Sequence, residues 1–275
     1  MKWTKSSMIL LAAAVLGMVF SIWGPEAITR YKDKSVLEKI HTQDVESIGE
    51  GYRYILSGSE RLYILSACLN RQTQPGNVKN TGTDGDAETE YGNLEGNYAF
   101  IRNRKGAVDS QISENDVYDT CNQEISKLKK LGILPQDTED ISEELYDAVL
   151  YSAIDVLEPG NNVSVWKLEL SDQQRNVDKT NRLMDAYMDA GDGKIYEFYV
   201  RTSLSWEEID TDDIIRSYSE YMGLEKPMPY ESDNPLLEST PYYKKYTFEG
   251  MGGERTIVTV GFYEGINELF LKISK

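Results

Sequence analysis

One histidine, His41, and two cysteines, Cys68 and Cys121, are all the imidazole and thiol that 275 residues contain. A structural zinc site takes four Cys or His ligands, so a self-contained zinc module is excluded. A Ser-His-Asp or Cys-His device would have to recruit His41, close to the apolar N-terminal segment. Positive charge is also scarce. Lys and Arg number 29 against 46 Asp and Glu, a formal charge of −17 and a sequence pI near 4.6. Such a surface repels phosphate backbones and anionic lipid headgroups, so no nucleic-acid partner is expected. A cationic or neutral partner stays open, and so does solubility as the whole reason for the acidity. No cofactor is implied.

Long apolar runs are missing too, with one exception. Met8 to Trp23 (MILLAAAVLGMVFSIW) carries no charge, and Lys2 and Lys5 precede it. As a helix it spans ~24 Å against a ~30 Å hydrocarbon core, and Ser6, Ser7 and Gly24 can extend it. The expectation is a transmembrane anchor over 8–24 behind a cytoplasmic tail, 1–7. The positive-inside rule then gives a single-pass cell-membrane protein with its C-terminal body extracytoplasmic. A cleaved signal peptide is the alternative. Its cut site wants small residues, and Trp23, Pro25 and Glu26 interrupt Ser21 to Ala27.

Apolar residues make up 40% of the chain, enough for a folded body. Residues 25–50 read as a stalk. An N-terminal α/β subdomain over 51–135 starts with a strand, Tyr52 to Leu56. Ser57-x-x-Glu60 then has capping-box form and opens a helix through Leu69. Residues 71–97, rich in Gly, Asn, Thr and acids, read as a mobile surface loop. Tyr118, Cys121, Ile125 and Leu128 recur at helical spacing and predict a helix over Asn115–Leu131, stopped by Gly132 and Pro135.

The next apolar set, Leu145, Tyr146, Val149, Leu150, Ala153, Ile154 and Leu157, predicts a largely buried helix over Ser142–Leu157. Alternation then replaces helical spacing. Trp166, Leu168 and Leu170 share one strand face, with Lys167 and Glu169 opposite. Met184, Ala186 and Met188 share another, with Asp185 and Asp189 opposite. Tyr196, Phe198 and Val200 share a third, with Glu197 and Arg201 opposite. The order repeats: Ser205-x-x-Glu208, a helix carrying Ile214, Ile215, Tyr218, Tyr221 and Met222 up to Gly223, and three closing strands. Their apolar faces are Tyr242, Tyr246 and Phe248; Val258, Val260 and Phe262; and Leu269, Leu271 and Ile273. The fold class expected is therefore α+β: antiparallel sheets covered on one face by helices, in two helix-plus-three-strand units, 136–204 and 205–275, after the transmembrane helix.

Leu183 to Val200 (LMDAYMDAGDGKIYEFYV) resembles the core of PepSY-type domains. A strand ends in Asp189-Ala190, a turn carries Gly193, and the returning strand begins Lys194-Ile195. An additional strand around Trp166 and one spare turn residue depart from that pattern, and the likeness covers about sixty residues. The whole layout is similar to membrane-anchored extracytoplasmic regulators of sensor kinases and sigma factors in Gram-positive bacteria. The resemblance implies a non-catalytic protein that binds a membrane or envelope protein.

The remaining motifs have plain structural accounts. Asp185, Asp189 and Asp192 invite a calcium site, but with Gly193 as the invariant glycine the first and third ligand positions fall on Met188 and Ala190. Thr83 to Glu90 is an equally weak calcium loop. Gly250, Gly252 and Gly253 precede a strand, so they read as a hairpin turn and not as a phosphate loop. Glu207, Glu208, Asp210, Asp212 and Asp213 suit a helix's first turn. Cys68 and Cys121 could form a disulfide in an exported body, or Cys121 could be a small buried residue. The charged strand faces leave Asp185, Tyr187, Glu197, Tyr199 and Arg201 as the candidate partner-binding face. The function expected is binding or regulation without catalysis. The alternative is an envelope hydrolase acting on peptide or glycan through carboxylates.

Overall fold

Ser57 and Glu60 do form a reciprocal cap: the Ser57 N–H donates to Glu60 Oε2 (2.7 Å) and the Glu60 N–H to Ser57 Oγ (3.3 Å). They open helix α1, Gly58–Gln72. The computed structural model describes residues 55–72, 97–174, 177–230 and 240–275. Two further helices follow, α2 (Val117–Lys130) and α3 (Thr211–Met222). The strands are β1 (Tyr98–Arg102), β2 (Tyr146–Asp155), β3 (Asn162–Leu170), β4 (Leu183–Asp189), β5 (Ile195–Arg201), β6 (Met228–Tyr230), β7 (Tyr243–Glu249), β8 (Arg255–Tyr263) and β9 (Glu268–Ser274).

All nine join one antiparallel sheet in the order β1-β2-β3-β4-β5-β9-β8-β7-β6. This overturns the expected fold class. Among the described residues the separate helix-plus-three-strand units give way to a single nine-stranded sheet with three helices. Each half is one helix followed by a four-strand meander, α2 with β2–β5 and α3 with β6–β9. The halves meet last strand to last strand, β5 against β9.

The error with the largest consequence is Ser142–Leu157, where β2 stands instead of a helix. A strand packed on both faces and a buried helix both show an apolar residue at nearly every turn of the pattern, so periodicity does not separate them. What separates them is pairing. Residues of β2 match β1 on one side and β3 on the other in unbroken register, from Tyr146 opposite Leu170 to Ile154 opposite Asn162. Pro159 and Gly160 thus close a hairpin, where the Asp155 N–H donates to the Asn161 carbonyl (3.0 Å).

The membrane reading is corrected as well. Among the described residues no helix is long and apolar enough to cross a membrane. The longest, α1, has 15 residues and reaches only ~22 Å. The single-pass, extracytoplasmic placement is set aside on that finding. Met8–Trp23 and the stalk lie outside the described residues, as do most of the expected strand Tyr52–Leu56 and residues 73–96 of the expected loop.

Register fixes the two faces, because directly opposed residues share a side. Trp166 opposes Met188; Leu168, Ala186, Phe198, Leu271 and Val260 form one row across five strands. All of these are buried. Helices α2 and α3 cover this first face. The Trp166 indole donates to the Ile112 carbonyl just before α2 (3.0 Å), and Tyr246 Oη, on the first face of β7, donates to Asp212 in α3 (2.7 Å). Helix α1 is buried continuously from Leu62 to Leu69. It is enclosed, packing on β1, β2 and β3 at one side and on β8 and β9 at the other.

The second capping box, Ser205-x-x-Glu208, is present but caps only a short 3₁₀ turn. Asp210 caps α3 itself, accepting from the Asp212 and Asp213 amides. Gly223, at φ 71°, ends it in the left-handed conformation that favours glycine.

Candidate functional site

The second face carries the polar strand residues in rows set by the same register. One row runs Asp147, Glu169, Asp185, Tyr199, Phe270, Gly261, Tyr243. The next runs Val149, Lys167, Tyr187, Glu197. A third sets Arg201 against Glu268 and Tyr263. All five expected site residues therefore do lie on this one face. Their environments differ sharply.

Tyr199, Arg201 and Asp185 are half-exposed. Arg201 Nε pairs with Glu268 at 3.4 Å. Lys167 Nζ sits 2.5 Å from Glu169 and 3.9 Å from Asp185, a small half-buried network. Burial pushes the Asp185 carboxyl up to about 6 against the pull of Lys167, and Glu169 adds to the rise. Asp185 Oδ1 is buried without a hydrogen-bond donor. Tyr187 is buried and belongs to the packed part of the face.

Glu197 departs furthest from expectation. It is only 5% exposed, and its Oε2 accepts from the Ile273 N–H at 2.9 Å. Burial raises its carboxyl to about 7, although that amide and Lys272 pull the other way. Glu197 is a structural group and not a surface contact. Asp189 is likewise not on an exposed strand face. It is 1% exposed, and four donors converge on it: Arg61 Nη1 (2.6 Å), Tyr196 Oη (2.7 Å) and the amides of Gly191 (2.6 Å) and Asp192 (3.1 Å). It pins the β4–β5 turn to α1, which leaves no acceptor for an ion. Among the described residues no group of three or more His, Cys, Asp or Glu could hold a metal; Thr83–Glu90 lies outside them.

Sequence reasoning named Tyr187 and Tyr199 on this face but missed the stacking around Phe270. Tyr199, Phe270 and Tyr263 stack in series, with centroids 5.7 and 4.7 Å apart and ring planes 22° and 28° apart. Phe270 lies across Gly261 so closely that a Cβ there would meet its ring at 2.3 Å. On the far side Phe100 stacks on Tyr151 (4.7 Å) and meets Tyr187 edge-on (6.0 Å). The signal available was small: Phe270 is the one aromatic residue in β9, and it falls on the side opposite Leu269, Leu271 and Ile273.

Cys68 and Cys121 are both buried and are not bridged to each other. Cys68 Sγ donates to the Ala99 carbonyl at 3.4 Å. Burial pushes the Cys121 thiol well up, with Glu124 and Asp140 adding to it, so it is a poor nucleophile. No family model, curated protein or solved structure matches the chain.

Proposed function

We propose that this chain is a binding or regulatory protein that works without catalysis, and that its working surface is the second sheet face. The contact residues are Asp185, Tyr199 and Arg201 together with Tyr263. The observation that carries this reading is the stacked series Tyr199, Phe270 and Tyr263 beside half-exposed charges, on the side of the sheet away from α2 and α3. Stacked rings offer large contact area with little side-chain entropy to lose, and flanking ion pairs set orientation; interfaces between proteins use that combination. The partner expected is another protein.

The hydrolase alternative has one observation on its side, the Asp185 carboxyl near neutrality. The second carboxylate such chemistry needs would be Glu197, which is committed to the Ile273 amide, or Glu169, which stands opposite Asp185 and is paired with Lys167 at 2.5 Å. A photo-crosslinking amino acid at Tyr199 or Tyr263 should capture one protein in cells, and the same probe at Lys130, exposed on α2, should not. Asp185→Asn should weaken the crosslink, with the melting temperature measured beside it to separate lost contact from lost fold. Equal capture from Lys130 would remove the face from consideration. Asp185-dependent cleavage of peptides or glycans by the purified chain would favour the hydrolase instead.

A further inference from the structure

Among the described residues one strand pairing joins the two four-strand halves, β5 with β9. It is short: Phe198 to Arg201 face Leu271 to Glu268. Continued by two residues, the same register would set Tyr196 against Ile273, and the Tyr196 carbonyl would accept from the Ile273 N–H. That bond is absent for a specific reason. Between Tyr187 and Met188 the β4–β5 register shifts, because Tyr187 faces Glu197 while Met188 faces Ile195. Tyr196 is the extra residue of a bulge, and a bulge takes its residue out of the ladder. Its carbonyl accepts from Tyr218 Oη of α3 instead, at 2.8 Å. The Ile273 N–H is left buried without a backbone acceptor, and Glu197 supplies one from its side chain at 2.9 Å. A buried amide without an acceptor is costly, so this contact holds the seam past Phe198.

We propose that Glu197 is a proton-operated latch on the β5–β9 seam, which holds the two halves together more firmly when its carboxyl is protonated. The neutral acid still offers an oxygen to the Ile273 amide, and it no longer places a charge inside the fold. The groups that face it compensate that charge in part. Tyr187 and Asp185 approach from β4 and Tyr218 from α3, the Tyr199 hydroxyl on its own strand donates to it, and Lys272 of β9 is the one cation among them. Asp185, when ionised, opposes the charge directly. The Ile273 amide, the Tyr199 hydroxyl and Lys272 favour the charged form, and burial outweighs them, lifting this carboxyl to about 7. Acid therefore tightens the seam and mild alkali loosens it.

Amide hydrogen exchange on the full-length chain between pH 5 and 8, corrected for the intrinsic rate, reads the latch directly. Each unit of raised pKa is a factor of ten in the opening equilibrium, so protection at Ile273 should fall roughly a hundredfold across that range. Amides of β3, remote from the seam, should hold theirs. Glu197→Gln keeps an acceptor and has no charge; it should keep Ile273 protected and remove the pH dependence. Glu197→Leu has no acceptor and should lose protection at every pH. If that variant does not fold, the comparison of wild type with Glu197→Gln carries the test. A Glu197→Gln chain with the wild-type pH slope would overturn the proposal, and so would a parallel loss of protection in β3. Asp185→Asn should leave a slope at Ile273; its disappearance there would assign the proton to Asp185 and overturn the latch.

Discussion

Replacing Asp189 with alanine should destabilise the fold by about 2–4 kcal/mol. Three consequences add up to it. Tyr196 is 1% exposed, so its hydroxyl would lose its acceptor with no water to replace it, at ~1–3 kcal/mol. Arg61 would lose its carboxylate. Its side chain is 32% exposed and half-solvated, so that loss is nearer ~1 kcal/mol. The amides of Gly191 and Asp192 sit in an exposed turn and can turn to water, adding a few tenths of a kcal/mol. Burial by itself would lower the Arg61 pKa, yet the facing Asp189 outweighs it and the guanidinium's pKa rises, so the pair is attractive where it stands. Urea unfolding of wild type, Asp189→Ala, Tyr196→Phe and the double variant measures the chain of effects. Tyr196→Phe should cost ~1 kcal/mol, and the double variant should cost less than the sum, because Asp189→Ala already strands the hydroxyl. A loss under ~1 kcal/mol for Asp189→Ala, or strict additivity, would show that the four convergent bonds do not hold the turn to α1.

Phe198→Ala should cost about 3–5 kcal/mol in the same assay, since the ring lies buried in the row from Leu168 to Val260; a cost near that of Lys167→Ala would mean the register is wrong. Gly261→Ala should destabilise, because the new methyl carbon would meet the Phe270 ring at 2.3 Å, and Phe270→Leu in the same chain should recover part of the loss; no loss in the single variant would show that the ring moves freely. Glu197 and Asp185 titrate near 7 and 6 in the fold against ordinary values of 4.5 and 3.8. The folded chain therefore holds more protons than the unfolded one between these limits. Their contribution, on the order of a few kcal/mol, is fully present below about pH 4 and is lost as the pH rises through 6 and 7. Melting temperatures across that range should fall more steeply for wild type than for Glu197→Gln, and identical slopes would refute the assignment.

Local rules were enough for the helices that were correctly read. The Tyr118, Cys121, Ile125 and Leu128 stripe marks α2 because a helix brings every third or fourth residue to one side, and the Ser57–Glu60 box marks the start of α1 because its bonds close within one turn. Alternation likewise placed Glu197, Tyr199 and Arg201 on one face and Phe198 and Val200 on the other, since a strand admits no other arrangement. What alternation does not carry is the identity of the neighbouring strand. Whether Ser142–Leu157 is helix or strand, and whether Glu197 meets solvent or the Ile273 amide, turn on partners far along the chain; Glu197 and Ile273 are 76 residues apart. Burial, charge and exposure at the candidate site belong to that level as well. Tyr199 became part of an aromatic stack because Phe270 lies opposite it, and Asp189 became a buried anchor because Arg61 of α1 reaches it. The sequence alone determined which residues share a face, since that follows from backbone geometry over a few residues. Only the tertiary structure decided which face is covered and which charge is buried, since those are properties of pairs that the folded sheet brings together.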